Sequence, residues 1–165
     1  MRRRHQRGVA FTEFAVVFPL FLFVFIASID IGRFIYFRQV VANLSREGAS
    51  LASRGSTDAQ AIAAIEAADD PFDLKTYGRV IVSTVTRKSA SDGTPWVTAQ
   101  TVDGSFAFDS RVGLVNQRAI VPGVASLASG ITVRTVEVAT RFKPVMTSTG
   151  FGVLYPTFVY EVSYF

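Results

Sequence analysis

The side chains that could carry catalysis are few, and their types exclude the commonest active sites. The only histidine is His5, and the chain has no cysteine. Downstream of His5, therefore, neither a Ser–His–Asp triad, a Cys–His pair nor a usual zinc site can be built. A Ser–Lys pair drawn from Ser83, Ser89 and Lys88 is one open alternative. These residues lie in a predicted strand and turn, and that structural position accounts for them without a catalytic role.

Carboxylates are the other candidates for chemistry. Glu137 and Glu161 stand in predicted strands and alternate outward, which favours solvated faces over a paired-acid site. Asp69, Asp70 and Asp73 suggest calcium, but they lack the alternation and the glycine of an EF-hand loop. A solvated turn is the better interpretation. We therefore expect neither an enzyme, nor a metal site, nor a cofactor.

A different reaction, in which the chain is the substrate, is indicated at the N-terminus. Arginines cluster there, at positions 2, 3, 4 and 7. Gly8 follows them and offers a peptidase an unhindered backbone beside the next peptide bond. The nearest small-residue candidate at the end of the apolar run, Ala27-Ser28-Ile29-Asp30, lies where the helical pattern continues, so it is a poor signal-peptidase site. The sequence predicts cleavage between Gly8 and Val9.

The element that positions this bond is the apolar run from Val9 to Ile29, in which Glu13 is the only charge before Asp30. Crossing a bilayer core takes roughly 20 apolar residues as a helix, and this run is long enough. Because the arginines stand on one side only, the positive-inside rule keeps the N-terminus cytoplasmic and exports the rest. We expect a single-pass protein of the inner membrane with an extracytoplasmic domain.

Two residues inside the apolar run need an explanation. Glu13 is costly in lipid unless it is paired or near the interface. After cleavage, the new amino group of Val9 would lie about one helical turn from Glu13 and is a natural counter-charge. The simpler alternative is that Glu13 lies among the headgroups. Pro19 removes a backbone donor in mid-helix and predicts either a plain bend or a weak point that lets the helix repack on assembly.

These residues resemble a known family. Arg7-Gly8, the following Val9-Ala10-Phe11-Thr12-Glu13-Phe14 and the long apolar helix look like the class III leader of prepilins, especially that of TadE-like pseudopilins of the tight-adherence (Flp) pilus system. In that family a glycine precedes the cut, and a glutamate followed by an aromatic or similar residue is fifth in the mature chain. Further matches are Asp30-Ile31-Gly32-Arg33, Tyr36, Gln39, Asn43 and Ser45-Arg46-Glu47-Gly48-Ala49.

The resemblance implies a structural function and a set of partners. It assigns Gly8, Val9, Glu13 and Phe14 to processing by a prepilin peptidase. Helix packing and assembly would involve the residues Pro19, Asp30, Arg33, Arg46 and Glu47. The implied partners are other pilins and pseudopilins, the peptidase, an inner-membrane assembly platform and the membrane itself. The alternative is a signal-anchored extracytoplasmic binding protein that is never cleaved and never enters a filament.

The charge balance excludes nucleic acid as a partner. Lys and Arg total 17 against 13 Asp and Glu, but four of the arginines and no acid precede Val9. The remainder is neutral, so no basic patch supports phosphate binding.

The sequence predicts three segments: a leader over 1–8, a helix over 9–54 with Gly55 as its stop signal, and an α+β domain over 55–165.

The outer domain shows helix and strand signals in turn. Thr57-Asp58-Ala59-Gln60 is a capping box that predicts a short helix to about Asp69. Alternating and β-branched patterns predict strands over Arg79–Arg87, Trp96–Val102, Ile131–Phe142 and Phe158–Tyr164, the first two as a hairpin. A shift in apolar phase between Thr135 and Val136 predicts a bulge.

The stretch from Gly104 to Gly130 is irregular and matches nothing in the family. We expect a short helix in it, near Val124–Ala128. Four aromatic residues stand in loop-like sequence and are expected to pack against the core rather than to bind a partner: Phe106, Phe108, Phe151 and Tyr155.

Overall fold

The computed structural model describes residues 3–70, 72–87, 91–145 and 156–165, with side chains described from Ala10 onward. Pro71, Lys88, Ser89, Phe151 and Tyr155 therefore lie outside the described residues. Within the described ranges the chain forms two compact units. One comprises residues 3–36 with 143–145, and the other comprises 37–142 with 156–165.

The first element is α1, which runs from Arg3 to Ser53. It begins before the predicted start at Val9, because arginine and glutamine are good helix formers and one glycine does not stop a helix. Its end agrees with the prediction. Gly55 adopts a left-handed φ of +92°, and the Ser56 N–H donates to the Leu51 carbonyl at 3.3 Å. That pair of features is a glycine C-cap, which satisfies the last carbonyls of the helix.

Two short helices follow. The first, α2 (Asp58–Ala67), begins at Thr57 with the predicted capping box, in which Thr57 and Gln60 cap each other's backbone N–H. The second, α3 (Leu74–Tyr77), was not predicted and replaces part of the expected turn. Asp73 caps it by accepting from the Thr76 N–H at 3.0 Å. Aspartate at a helix N-cap satisfies an otherwise unpaired donor.

Four antiparallel strands form one open sheet, which makes the fold α+β as predicted. The strands are β1 (Gly78–Arg87), β2 (Pro95–Asp103), β3 (Val133–Arg141) and β4 (Phe158–Tyr164), in the order β2-β1-β3-β4. The predicted hairpin is the β1–β2 pair.

Two local predictions were wrong. The register of β3 against β1 is continuous through Thr135 and Val136, so no bulge lies there. The irregularity lies between Thr84 and Val85, in the pairing of β1 with β2. The apolar phase of β3 shifts because both faces of this central strand are covered, as in any strand buried on two sides. Nor does a helix form near Val124–Ala128, where the backbone makes turns and a bridge between Val121 and Val124.

The sheet of this second unit is covered on both faces. On one face α1 packs against β3, and a Cβ added to Gly48 would lie 3.2 Å from Val136 Cγ1. On the other face the Gly104–Gly130 stretch forms a layer over an apolar core. That core includes Val85, Val97, Val112, Ala119, Val121, Leu127 and Val133. The irregular stretch is thus a structural layer of the domain.

Candidate functional site: the N-terminal helix and its anchoring residues

The only described helix that is long and apolar enough to cross a membrane is α1, over Ala10–Ser53. Its large side chains are strongly exposed in the first unit; Phe11 and Val16, for example, are 72% and 77% exposed. In water such a surface is unfavourable by roughly 25 cal/mol for each Å² of apolar area. Lipid or the apolar surface of another helix removes that cost, and this half of α1 is long and apolar enough to span a membrane.

The residues predicted to take part in processing lie in the N-terminal half of α1. Gly8 and Val9 lie within α1. Glu13 and Phe14 are exposed, and the Phe14 ring lies 5.2 Å from that of Phe18. No hydrogen bond or ion pair joins Glu13 to another residue in the described ranges. In the intact chain Val9 contributes a peptide nitrogen, so the predicted pair between Glu13 and a free amino group stays a prediction. Pro19 lies inside the continuous helix.

Asp30 is the best-anchored of the predicted assembly residues. Its side chain is fully buried, at 0% exposure. The Val145 backbone N–H donates to Asp30 Oδ1 at 2.8 Å, and Arg33 Nη1 lies 3.4 Å from the same oxygen. The predicted i,i+3 pair is therefore present. Asp30 also binds a distant part of the chain, which sequence spacing does not reveal.

The Ser45–Ala49 motif has a buried side and an exposed side. Ser45, Gly48 and Ala49 are buried, and the Ser45 hydroxyl donates to the Val136 carbonyl of β3 at 2.9 Å. Arg46 and Glu47, the residues predicted to act in assembly, are exposed. The small residues thus allow α1 to approach the sheet closely, and the charged pair faces away from it.

Glu137 was expected to face solvent, and that expectation was wrong. It is 0% exposed at the centre of β3. Its Oε1 accepts the Arg111 N–H at 2.8 Å, the Val112 N–H at 3.3 Å and the Tyr160 hydroxyl at 2.8 Å. Its other oxygen accepts the Ser110 hydroxyl. A buried carboxylate is tolerated when it is fully hydrogen-bonded, and here it ties the 104–130 layer to the sheet.

Aromatic rings and one guanidinium cover the Glu137 site. The Phe108 ring lies 5.2 Å from that of Tyr160, and the Arg111 guanidinium lies 4.5 Å above the Tyr160 ring. Phe106 and Phe108 also contact Phe158 of β4. The prediction that Phe106 and Phe108 pack against the domain is confirmed. Burial, followed by the negative charge of Glu137, raises the pKa of Tyr160.

The nominated carboxylates, Glu137 and Glu161, bind other side chains, and Lys88 and Ser89 of the nominated Ser–Lys pair lie outside the described residues. Glu161 forms an ion pair with Arg38 of α1, with Arg38 Nη2 at 2.9 Å from Glu161 Oε1, whereas Glu137 is enclosed by its own four donors. Ser83 is buried in β1 and accepts from the Gln100 amide at 2.9 Å. Each of these side chains therefore has a structural partner.

Comparison with known proteins supports the family resemblance. Residues 8–50 match the family described as TadE-like protein. This match covers the glycine, Glu13, the apolar run, Asp30 and the Ser45–Ala49 motif, and it confirms the resemblance over that segment. Neither the curated proteins nor the solved structures give a match. The chain is therefore similar to the TadE-like family over its N-terminal helix, about a quarter of its length.

Proposed function

We propose that this protein is a minor pseudopilin, a structural component in the assembly of a tight-adherence type IV-like pilus. The observation that carries the proposal is the TadE-like match over residues 8–50. An exposed apolar helix and a compact unit that contains the sheet are the two parts that such a component needs. The helix would lie in the inner membrane with its N-terminus cytoplasmic, and the domain would lie outside.

Processing is the first step of the proposed function. A prepilin peptidase would hydrolyse the Gly8–Val9 peptide bond, which leaves the apolar helix attached to the domain. The new amino group of Val9 would be neutralised by Glu13, either in the same chain or in a neighbouring one. Because unpaired charge is costly in an apolar environment, this pairing would favour insertion of the helix end among other helices.

The proposal is tested by the N-terminus of the protein in its own host. We expect intact-mass measurement to show a chain that begins at Val9. In a strain without the prepilin peptidase, or with Gly8→Leu, the mass should be that of the uncut precursor. A chain that keeps its arginines in the wild-type host, or one trimmed beyond Ile29, would support the signal-anchored alternative or an ordinary secreted protein instead.

Partners follow from the same proposal. Other pilins and pseudopilins would pack beside the helix, and an inner-membrane platform would hold the chain before assembly. Charge replacement at Arg46 or Glu47 distinguishes a partner contact from a fold contact. Both side chains are exposed, so Arg46→Gln and Glu47→Gln should weaken co-purification of partners while the domain keeps its stability.

A further inference from the structure

Three arginines that are far apart in the sequence come together at one end of the sheet, on the face opposite α1. Arg79 Nη1 donates to the Phe106 carbonyl at 3.1 Å, and the Arg141 guanidinium lies 5.6 Å from the centre of the Phe106 ring. The Arg111 guanidinium lies 5.6 Å from the Phe158 ring, which is itself 6.0 Å from that of Phe106. We call Arg79, Arg111 and Arg141 the arginine surface.

The positive charges of the arginine surface have no acidic partner among the described residues. None of the three arginines forms an ion pair there, and Arg79 Nε is buried without a hydrogen-bond partner. Glu137 is already enclosed by four donors, while Asp109, Arg111 and Arg141 are exposed. A guanidinium that stacks on a ring keeps the N–H groups of its edge available, and these match a carboxylate through two parallel hydrogen bonds. The arginine surface is therefore suited to an acidic partner.

Carboxylates form a second charged surface, which begins at the end of α2 and which we call the acidic surface. An open cavity of about 420 Å³ is lined by Glu66, Asp69, Asp70, Phe72, Asp73 and Lys75. Burial, followed by the negative charge of Asp103, raises the pKa of Glu66, so negative charges crowd one another here. Within the described ranges no ion pair neutralises these carboxylates. Negative charge around an aromatic ring suits a guanidinium.

The two surfaces lie on opposite faces of the sheet and at the same level of α1. The acidic surface follows α2, which packs on the α1 face through Ile65, and the arginine surface lies on the other face. The Phe37 ring of α1 is 4.3 Å from the Phe72 ring of the acidic surface and 5.2 Å from the ring of Phe142, the residue after Arg141. Two copies whose helices stand parallel in one membrane would therefore present opposite charges to each other at equal height.

We infer that the arginine surface binds the acidic surface of a second copy of this chain, side by side in the same membrane. Because the two surfaces differ, the contact is heterologous, and a bound pair leaves one surface of each charge open to a further copy. Arginine and aromatic residues are also the types that dominate the centres of protein interfaces. The neutral balance of charges predicted no basic patch, since composition does not show how folding separates the charges into two surfaces.

The inference rests on one part of the proposed function, namely that α1 spans a membrane. It requires neither cleavage at Gly8 nor a pilus. It can therefore fail while the chain is still cleaved and still needed for pili, and it can hold for an uncleaved chain in a host without pili. The two failures are distinguishable.

Charge reversal of each surface in the full-length protein gives a direct test. The variant Arg111→Glu/Arg141→Glu would have two negative surfaces, and Glu66→Lys/Asp70→Lys would have two positive ones. Energy transfer between labelled copies in vesicles of neutral lipid should fall several-fold for each variant alone. It should return to the wild-type level when the two variants are mixed, because opposite surfaces then face each other again. Loss for the first variant only, or no recovery on mixing, would overturn the inference.

A matched control separates this contact from a general effect of net charge. Arg54→Glu/Arg118→Glu changes the net charge by the same amount as the first variant, at two exposed positions outside both surfaces. We expect its energy transfer to equal that of the wild type, and an equal fall in this control would contradict the inference. The fluorescence of Trp96, the only tryptophan, reports whether each variant is folded.

The wild type provides a second measurement that does not depend on the folding of any variant. Salt screens exposed charges, and the screening length falls from about 30 Å at 0.01 M to about 3 Å at 1 M. Energy transfer between wild-type copies should therefore fall several-fold over this range of salt concentration. Wild-type transfer that does not change with salt, or that does not exceed random proximity in the vesicle, would show that the two surfaces do not bind each other.

Discussion

The two halves of α1 use opposite kinds of side chain on one continuous helix. Between residues 10 and 29 the helix carries large, exposed, mostly aromatic and aliphatic residues. Between 41 and 52 its inward positions are Val41, Leu44, Ser45, Gly48, Ala49 and Ala52, which are buried. Small buried residues permit a close approach to the sheet, whereas large exposed ones require a surface that the chain does not supply. The first half is thus suited to partners or lipid, and the second half to the protein's own domain.

The largest expected effect lies in the domain, at Glu137. The change Glu137→Ala leaves the hydroxyls of Ser110 and Tyr160 and two backbone N–H groups without their acceptor. We expect it to lower the free energy of unfolding by about 3–5 kcal/mol, the usual loss when a buried polar network is broken. Denaturant unfolding of the full-length protein in detergent, followed by the fluorescence of Trp96, the only tryptophan, measures this loss.

The conservative change Glu137→Gln is the control. A glutamine has the same shape, can accept from the backbone N–H groups and can donate to Ser110, so most of the stability should be kept. If Glu137→Ala and Glu137→Gln are equally stable, the hydrogen bonds at this carboxylate do not hold the layer to the sheet.

The contrast between the two halves of α1 is tested next by one substitution at two glycines. A Cβ at Gly48 would come within 2.4 Å of Ile65 Cδ1, whereas one at Gly32 would meet nothing within 4 Å. We expect Gly48→Val to destabilise the domain by about 1–3 kcal/mol through overpacking. Gly32→Val should leave the Trp96 unfolding midpoint unchanged. Equal effects at both glycines would remove the distinction between the halves.

An effect confined to one contact, rather than spread over the domain, is expected at Asp30. The change Asp30→Ala removes the acceptor of the Val145 N–H, a bond of 2.8 Å. Losing a hydrogen bond to a charged group costs about 1.5–3 kcal/mol. That loss should appear as faster hydrogen exchange at the Val145 amide, with little change at β1 or β3. Asp30→Asn keeps an acceptor and should exchange more slowly than Asp30→Ala; the reverse order would rule out this contact as the cause.

The smallest effect is a pH dependence at Tyr160. Burial and the charge of Glu137 raise its pKa, so the neutral phenol is the form that the native state favours. The stability it contributes is therefore present below the pKa of an unfolded tyrosine, about 10, and is lost as pH rises above that value. Between pH about 8 and about 11, the unfolding free energy of the wild type should fall more than that of Tyr160→Phe. If the unfolding free energies of the wild type and Tyr160→Phe fall equally over this pH range, the raised pKa of Tyr160 is contradicted.

The features of the N-terminal helix and its ends could be predicted because their sequence signals are local. The apolar run, the Thr57 capping box and the stop at Gly55 each depend on residues a few positions apart. The same is true of the i,i+3 pair of Asp30 and Arg33. In each case the physical cause, helix geometry or backbone capping, acts within one or two turns.

The burial of Glu137 and the second contact of Asp30 could not be predicted from the sequence, because both depend on residues far away along the chain. An alternating strand pattern suggests that Glu137 faces water, but the 104–130 layer covers that face, and nothing in the pattern of β3 itself reveals the layer. The contact of Asp30 with Val145 joins residues far apart in the sequence. The length of the 104–130 stretch was the one sequence feature that pointed to a covering layer, since long irregular loops in compact domains often have a structural or functional role.

The central claim, that the chain acts in pilus assembly through a processed membrane helix, is tested most directly by complementation in its own host. Surface pili are sheared and quantified in a strain that lacks the gene. We expect the wild type and Glu137→Gln to restore pili, and Gly8→Leu, which would keep the precursor uncut, to restore few or none. Full piliation without the chain, or full rescue by the uncut precursor, would contradict the account.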